Sequence, residues 1–593
     1  MPSETRRAAR AAAEHAAAVQ QQTDPAAKSK NRRRTVGRVV AVVVIVLLAL
    51  AAWLAFRALT VRNDLTAARA ALTSASSGSS DMTTALETVA AKSESAAAAA
   101  ADPVWRLAEY LPWVGDNLRG VRLAAEALDV VANDIGVPIL ALQADDEGQV
   151  LARALPVLES AAAALRPVTD ELLDVAASSA LIGPVRDGVD EIAGVLGTAQ
   201  PLLDVLPALM GADSAKNYLL VFQNNAESLP LGGSAASQTL ISTDAGDLEI
   251  TGQASSASFE EDETVDVDIA ESAAALYGET FGQRVNMSPT RPDWPTAAQM
   301  IVAFWNRDID DTQIDGVISI DPLALARVLV ATGPITVGDV TIDSSNAVDI
   351  LLSDVYEWWD AYTDYGALAT DAFFASTAAQ VFDKVASGDF DLKDMAWAVS
   401  ESVQQGSIMA WMADAEVQSL LEDSGRLAGI LPTSNDEQTT LGVYFRDVSA
   451  SKIDYYMDTA VDATMTCTAG VTTLTATATL TLDLTQEEAD ALPRYVQSYR
   501  NGSTYFSTQV FMYAPPGMEI ESVSVDGDWV EPFREGNVDL GRVVAPFQMR
   551  ITPGETVTVT ATFTGAGDVE PLDVWTTPMI RTTDVAIEDT CTG

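Results

Sequence analysis

The chain has 593 residues, with 35 Lys+Arg against 84 Asp+Glu and a formal net charge of −49. With 48% hydrophobic residues it can bury substantial cores, and its length suits several domains. The acidity argues against nucleic acid as a partner, because a polyanion is repelled where no basic stripe releases its counterions.

Val39 to Phe56 reads VVAVVVIVLLALAAWLAF, 18 residues without a charge. Extended by a few apolar neighbours it predicts a transmembrane helix over 39–59, since a ~30 Å hydrocarbon core takes roughly 20 residues. Lys28, Lys30, Arg32, Arg33, Arg34 and Arg38 precede it. The positive-inside rule therefore puts a basic tail, residues 1–38, in the cytoplasm and the bulk of the chain outside. Residues 1–62 carry 11 of the 35 basic residues and 3 of the 84 acidic ones, in keeping with that orientation. A cleaved signal peptide is the rival reading; the long polar lead and long apolar run favour an uncleaved anchor. The lipid bilayer is thus an expected partner.

Residues 60–210 read as a helical stalk and bundle. Leu65, Ala68 and Leu72, then Leu118, Val121, Ala125, Leu128 and Val131, recur at helical spacing, and the SSGSS stretch at 76–80 interrupts the stalk. The grammar changes at Tyr218, where YLLVF reads as a buried strand; TLIS (239–242) and LEIT (248–251) suggest a hairpin. GVISI (316–320) runs into Asp321-Pro322, an N-cap followed by proline at the first helical position, and the helix LALARVLVAT stops at Gly333. Helices are expected at about 346–359, 369–386, 391–404 and 407–421. Residues 211–435 thus read as an α/β domain. Beyond it, TTLTATATLTLDL (472–484), STQVFMY (507–513) and TVTVTATFT (556–564) alternate with period two, which predicts an antiparallel β-sandwich over 436–593.

The rare residues limit the chemistry. The single histidine, His15, falls in the basic tail, so no imidazole base or His-ligated zinc serves the outer part. Catalysis there has to use carboxylates, Arg or Lys, or an oxygen-ligated Mg²⁺ or Ca²⁺. Cys467 and Cys591 both lie in the outer, oxidising part and read most simply as one disulfide, with two free thiols as the alternative.

Arg291 and Asp293 precede a helix starting near Pro295, and Arg284 and Arg307 lie close in sequence; free N–H groups at a helix start favour an anion there. The plainer reading is local salt bridging. Asn224, Asn225 and Glu227 follow the first strand, where α/β sheets usually bind ligands; turn and cap chemistry is the plainer reading. Asp308, Asp310, Asp311 and Asp315 lack the glycine of an EF-hand and read as a solvated loop.

NYLLVFQNNAES…LGG (217–233), NMSPTRPDWPTAAQM (286–300), DGVISIDPLALARVLVATGPI (315–335), NAVDILLSDVY (346–356) and SKIDYYMD (451–458), in that order, resemble the bacterial family called domain of unknown function 4012. The central domain also resembles the LytR-CpsA-Psr fold, whose members are anchored outside the cell and transfer glycopolymers from polyprenyl-pyrophosphate carriers. The resemblance implies a role in envelope or exopolysaccharide assembly through a lipid-linked or polymeric saccharide. The alternatives are a Mg²⁺-assisted phosphotransferase and a non-catalytic scaffold. Members of the first family commonly carry an arginine shortly before the paired glycines. Here Glu227-Ser228-Leu229-Pro230-Leu231 precedes Gly232-Gly233 without one, which removes a phosphate clamp and favours binding over chemistry.

Overall fold

The computed structural model describes residues 25–76, 82–143, 148–278, 280–423, 425–468, 470–526, 529–530, 537–566 and 569–591. His15 and most of the SSGSS stretch lie outside the described residues. By packing, the chain falls into two units, Met1–Val137 with Ala164–Leu196, and Pro138–Ala163 with Gly197–Gly593.

In the first unit the apolar run belongs to one helix of 52 residues, α1 (Pro25–Ser76). Its stretch Ala41–Ala75 is long and apolar enough to be a candidate membrane span. α2 (Met82–Ala100) folds back along it. Lys92 and Ser95 bond Asp64 at 3.0 and 2.7 Å, and Arg57 meets Asp102 at 3.1 Å, which fixes the antiparallel register. Alanines 68, 96, 99 and 100 are buried in this seam, where small side chains let the backbones approach. α3 (Pro103–Ala108) starts on Asp102, whose carboxylate accepts from the Val104 amide at 2.9 Å. α4 (Gly115–Asp129) closes over the fully buried Trp105. Two long helices, α5 (Val150–Ala176) and α6 (Gly183–Leu209), give this unit residues 164–176 and 183–196 and the second unit the rest; α6 is also long and apolar enough to be a candidate span.

The second unit is built on a five-stranded mixed sheet. Its strands are β1 (Lys216–Leu229), β2 (Gly232–Asp244), β3 (Asp247–Ser255), β4 (Gly316–Ile320) and, at one edge, Ile408–Met412. β1 and β4 pair in parallel, and β1–β2–β3 form an antiparallel meander that includes the expected hairpin. α7 (Trp294–Asp308) packs Trp294, Phe304 and Trp305 into the core of this sheet. The strand–cap–helix unit forms as expected: Asp321 accepts from the Ala324 amide at 2.8 Å, α8 (Pro322–Thr332) follows, and Gly333 ends it at φ 71°. The small hairpin β5 (Ile335–Val337) and β6 (Val340–Ile342) follows. α9 (Asp364–Ser387) and α10 (Leu392–Gln404) are the next two long helices.

The helix expected over 407–421 is a correction. Ile408–Met412 is strand β7, antiparallel to β4, and the helix α11 begins only at Ala415 and runs to Asp423. Gly406, at φ 74°, turns the chain out of α10, and the open edge of β4 then captures the short apolar run. Periodicity alone does not separate such a run from a helical segment.

The C-terminal region holds two sheets around a shared core of residues such as Phe445, Val461, Leu480, Val510, Phe547 and Val559. One sheet joins β8 (Thr439–Asp447), β11 (Phe506–Tyr513), β13 (Trp529–Val530), β14 (Asn537–Asp539), β15 (Arg542–Ile551) and β17 (Leu572–Thr576). The other joins β9 (Met457–Thr468), β10 (Val471–Leu482), β12 (Glu519–Asp526), β16 (Thr556–Ala566) and β18 (Asp584–Asp589). The period-two runs form strands, but the region is not wholly antiparallel. β17 adds to β8 and β18 adds to β9 in parallel. Alternation sets the buried face of a strand and leaves its direction open.

The parallel pairing of Asp589 with Met465 brings Cys591 opposite Cys467, and the two form a disulfide with a Cα–Cα distance of 5.0 Å. It closes 124 residues and staples the mostly exposed strand β18. Replacing both cysteines by serine is expected to lower stability by about 2–4 kcal/mol. A urea midpoint that does not move would refute that role.

Candidate functional site

The β1–β2 pairing contains the irregularity that makes the site. Asn224 pairs with Ser234 and Ser228 with Gly233, so residues 225–227 bulge out of β1 with no opposite partners. A bulge of this kind bends a strand and re-aims its side chains. Gly232 sits across from it at φ 120°, and a Cβ there would lie 2.8 Å from the Gln223 amide oxygen; a Cβ on Gly233 would meet the Asn224 carbonyl at 2.1 Å. The paired glycines are therefore demanded by close backbone approach.

Beside the bulge lies a cavity of about 630 Å³. β1 and β2 bring Gln223, Asn224, Glu227, Ser234 and Gln238 to its lining, beside Phe222 and Ala236. The helical segments after β6 bring Leu351, Leu352, Leu368 and Phe374, with Thr370 and Asp371 among them. Lys452 and Tyr495, from the C-terminal region, close one end. Lys452 is the one basic residue among the described residues lining the cavity. It is nearly inaccessible, forms an ion pair with Glu227, and lies 4.6 and 5.0 Å from the ring centres of Tyr356 and Tyr495. Ser234 Oγ donates to the other Glu227 oxygen at 2.5 Å, and the Asn224 amide donates to the Tyr356 hydroxyl at 2.8 Å. Both amide atoms of Gln223, Oε1 of Gln238 and the Thr370 hydroxyl are buried without a partner, and all four belong to cavity-lining residues. Buried polar atoms normally find partners, so this lining is one a polar ligand can complete.

Burial alone would push the Lys452 ammonium down; the Glu227 charge and then the two tyrosines outweigh it and hold the ammonium above its ordinary value. Burial raises Asp321 at the mouth of α8, against bonds from the Ala324 amide and Asn225. Behind the bulge two more carboxyls are buried. Asp454 accepts from the Ser228 amide at 3.0 Å, and Asp447 from the amides of Ser449 and Ser451 at 2.8 and 3.0 Å. Burial, and for Asp454 also the charge of Asp447, push them up to about 8 and about 6. Both folded values exceed the unfolded one, so their stabilisation is complete below about pH 4 and is lost as pH rises through the folded values. Stability is therefore expected to fall between pH 5 and pH 8 through this pair, Asp454 contributing the larger part. In Asp454→Asn that fall should shrink; thermal melts with equal slopes in both proteins would refute it.

The residues singled out from sequence divide between several places. Asn224 and Glu227 line the cavity. Asn225 points the other way, bonding Asp321 at 2.9 Å and the Pro578 carbonyl at 2.8 Å. All three lie inside β1, which continues through the bulge to Leu229, rather than beyond its end. Arg291 does not line the cavity. Its guanidinium grips Asp539 in two bonds of 2.7 and 3.0 Å and Asp293 in a third of 2.6 Å. Asp293 also caps α7 through Thr296. Arg284 pairs with Glu261 and Asp262 at the surface; Arg307 binds Asp308 and the carbonyls of Glu260 and Glu263. Among the described residues no three His, Cys, Asp or Glu side chains converge as a metal site. Lys452, Tyr356 and Tyr495 carry no such signal in the sequence, and Asp321 carries only that of a helix cap. Lys452 stands in the block SKIDYYMD, where a lone lysine amid apolar and aromatic residues of so acidic a chain is the one cue to it.

No curated protein matches the chain. Among solved structures it is similar to the transcriptional regulator yvhJ from Bacillus subtilis, at 12% identity over 36% of this chain and 77% of that one, with a TM-score of 0.19. It is also similar to the Lin1025 protein from Listeria innocua, at 15% identity over 38% and 84%, with a TM-score of 0.20. Both scores are too low to equate the folds. The ordered blocks between Asn217 and Tyr356 fall inside the segment that the family comparison picks out: residues 213–356 match the family described as protein of unknown function (DUF4012).

Proposed function

We propose that this is a membrane-anchored, extracytoplasmic protein of the bacterial cell envelope that binds the saccharide of a lipid-linked or polymeric glycan. The observation that carries the proposal is a cavity whose lining combines unpartnered buried polar atoms and a buried Lys452–Glu227 pair, its lysine beside two tyrosine rings, with aliphatic side chains. Neutral hydroxyl-rich ligands suit it better than bare pyrophosphate. The one lysine is already neutralised by Glu227, and Asp321 and Asp371 add negative character to the lining. The aliphatic side chains would take a lipid or the flat face of a sugar ring. The same reading treats the central sheet and its helices as a LytR-CpsA-Psr-like layer and the C-terminal sheets as a sandwich. A Mg²⁺-assisted phosphotransferase remains the weaker reading, because it asks for cationic clamps on the transferring group.

The test is titration of the full chain in lipid nanodiscs with free oligosaccharides and with the same oligosaccharides on undecaprenyl phosphate. Saturable binding of either, weakened at least about fivefold, roughly 1 kcal/mol, by Asn224→Ala, is the expected result. Absence of binding to both classes would overturn the proposal.

A further inference from the structure

The first unit carries an exposed apolar patch that the saccharide site does not use. Leu107 at the end of α3, then Tyr110, Leu111, Trp113 and Val114 before α4, are 68, 88, 53, 87 and 46% exposed. Ile182, 59% exposed, follows the Ala180 carbonyl to which Asn117 donates, and its own amide donates to Asn117 at 2.8 Å, so the α5–α6 turn sits beside this loop. Large aromatic side chains exposed to this degree are costly in water and mark an interaction surface.

What covers the patch follows from where the loop is tied. Asp102, at the start of α3, accepts from Trp53 Nε1 at 3.1 Å and from Arg57 at 3.1 Å. Trp53 lies inside the uncharged run and Arg57 is the first charge after it. α2 thus descends antiparallel along α1 and delivers the 103–114 segment to the level at which the apolar run ends. The charges of the segment turn back into the bundle: Glu109 bonds Arg122 at 2.7 Å and Arg106 reaches Glu126 at 3.5 Å. Pro112 and Trp113, the latter at φ 65°, make the turn that presents the aromatic rings outward.

We propose that the 107–114 loop, with Ile182 beside it, is a second membrane contact that inserts into the interfacial zone of the same bilayer that α1 crosses. The proposal rests on the reading of α1 as a span. Tyr and Trp favour the headgroup level, where an apolar ring and a polar tip are both satisfied. The headgroup zone is about 6 Å deep on each face, enough for one such loop. Two contacts fix the bundle against rotation and tilt about α1, which a single helix leaves free.

Spin labels on the full chain in phosphatidylcholine–phosphatidylglycerol vesicles test this. The two native cysteines are in their disulfide, so Tyr110→Cys, Ile45→Cys and Leu72→Cys can each be labelled without reduction. Leu72 lies about 24 Å along α1 from Phe56 and reports the aqueous side. The Tyr110 label is expected to show a several-fold higher ratio of oxygen to nickel-chelate accessibility than the Leu72 label, with Ile45 higher still. A Tyr110 ratio equal to that of Leu72, with Ile45 in lipid, overturns the loop insertion alone. A Tyr110 label shielded from both reagents makes the covering partner a protein and also overturns it. A water-exposed Ile45 label overturns the span and the loop insertion together. None of these outcomes depends on glycan binding.

Discussion

Lys452→Met is expected to abolish saccharide binding and to destabilise the second unit. The substitution strips the Glu227 carboxylate of its cation and leaves it on the cavity wall with only the Ser234 hydroxyl. Breaking a buried pair from one side costs roughly 3–5 kcal/mol; Glu227 keeps partial access to water, so about 2–3 kcal/mol is the expected loss. The flat aromatic walls of Tyr356 and Tyr495 also lose the ammonium between them. The double variant Lys452→Met with Glu227→Gln removes both charges and should recover most of the stability while binding stays at least about tenfold weak, a loss of roughly 1.4 kcal/mol. Urea midpoints and saccharide titrations on the same samples separate the two effects. Wild-type affinity in Lys452→Met would remove Lys452 from the site. Because the folded ammonium is held above its ordinary value, the pair's contribution is complete at neutral pH and is lost only as pH climbs through that raised value. The Lys452→Met penalty should therefore be flat between pH 5 and pH 8, where the Asp454 contribution changes.

The elements legible in the sequence are those whose signals are local. The Asp321-Pro322 start and Gly333 stop of α8, the continuous apolar strand before it and the alternating strands of the C-terminal region each depend on caps or period, and each forms. β7 is not legible there, because its strand character comes from the open edge of β4, which local sequence does not display. The site was half legible for the same reason. Asn224 and Glu227 stood out as polar residues after an apolar run, but the bulge that splits them from Asn225 is a property of the β1–β2 register. Lys452 comes from more than two hundred residues further along the chain, and only the packed unit sets it against Glu227. Arg291 is legible only in part: the local salt bridging read from its spacing appears as the Asp293 pair, whereas its two bonds to Asp539 reach 248 positions along the chain.

Arg291→Met should show what that contact does. Asp539 has no exposed side-chain surface, and apart from the two bonds of Arg291 it holds Ser272 at 2.7 Å and the Tyr513 hydroxyl at 3.0 Å, Tyr513 in turn meeting Tyr277 at 2.5 Å. Two hydroxyl donors do not balance a buried carboxylate, so losing the guanidinium is expected to cost about 3–5 kcal/mol. Burial alone would raise Asp539; the bond and charge of Arg291 outweigh it and hold the carboxyl below its ordinary value. Its contribution is therefore present above the unfolded carboxylate value and is lost as pH falls through the depressed one. The Arg291→Met penalty should be full at pH 7 and narrow below about pH 4, the reverse of the Asp454 trend. Adding Asp539→Asn should restore part of the lost stability, since Asp293 is then the only one of the two carboxylates left without the guanidinium. Saccharide affinity should change less than about twofold, within roughly 0.4 kcal/mol, because Arg291 does not reach the cavity. A variant of normal stability that has lost binding would reverse this assignment and return Arg291 to the ligand.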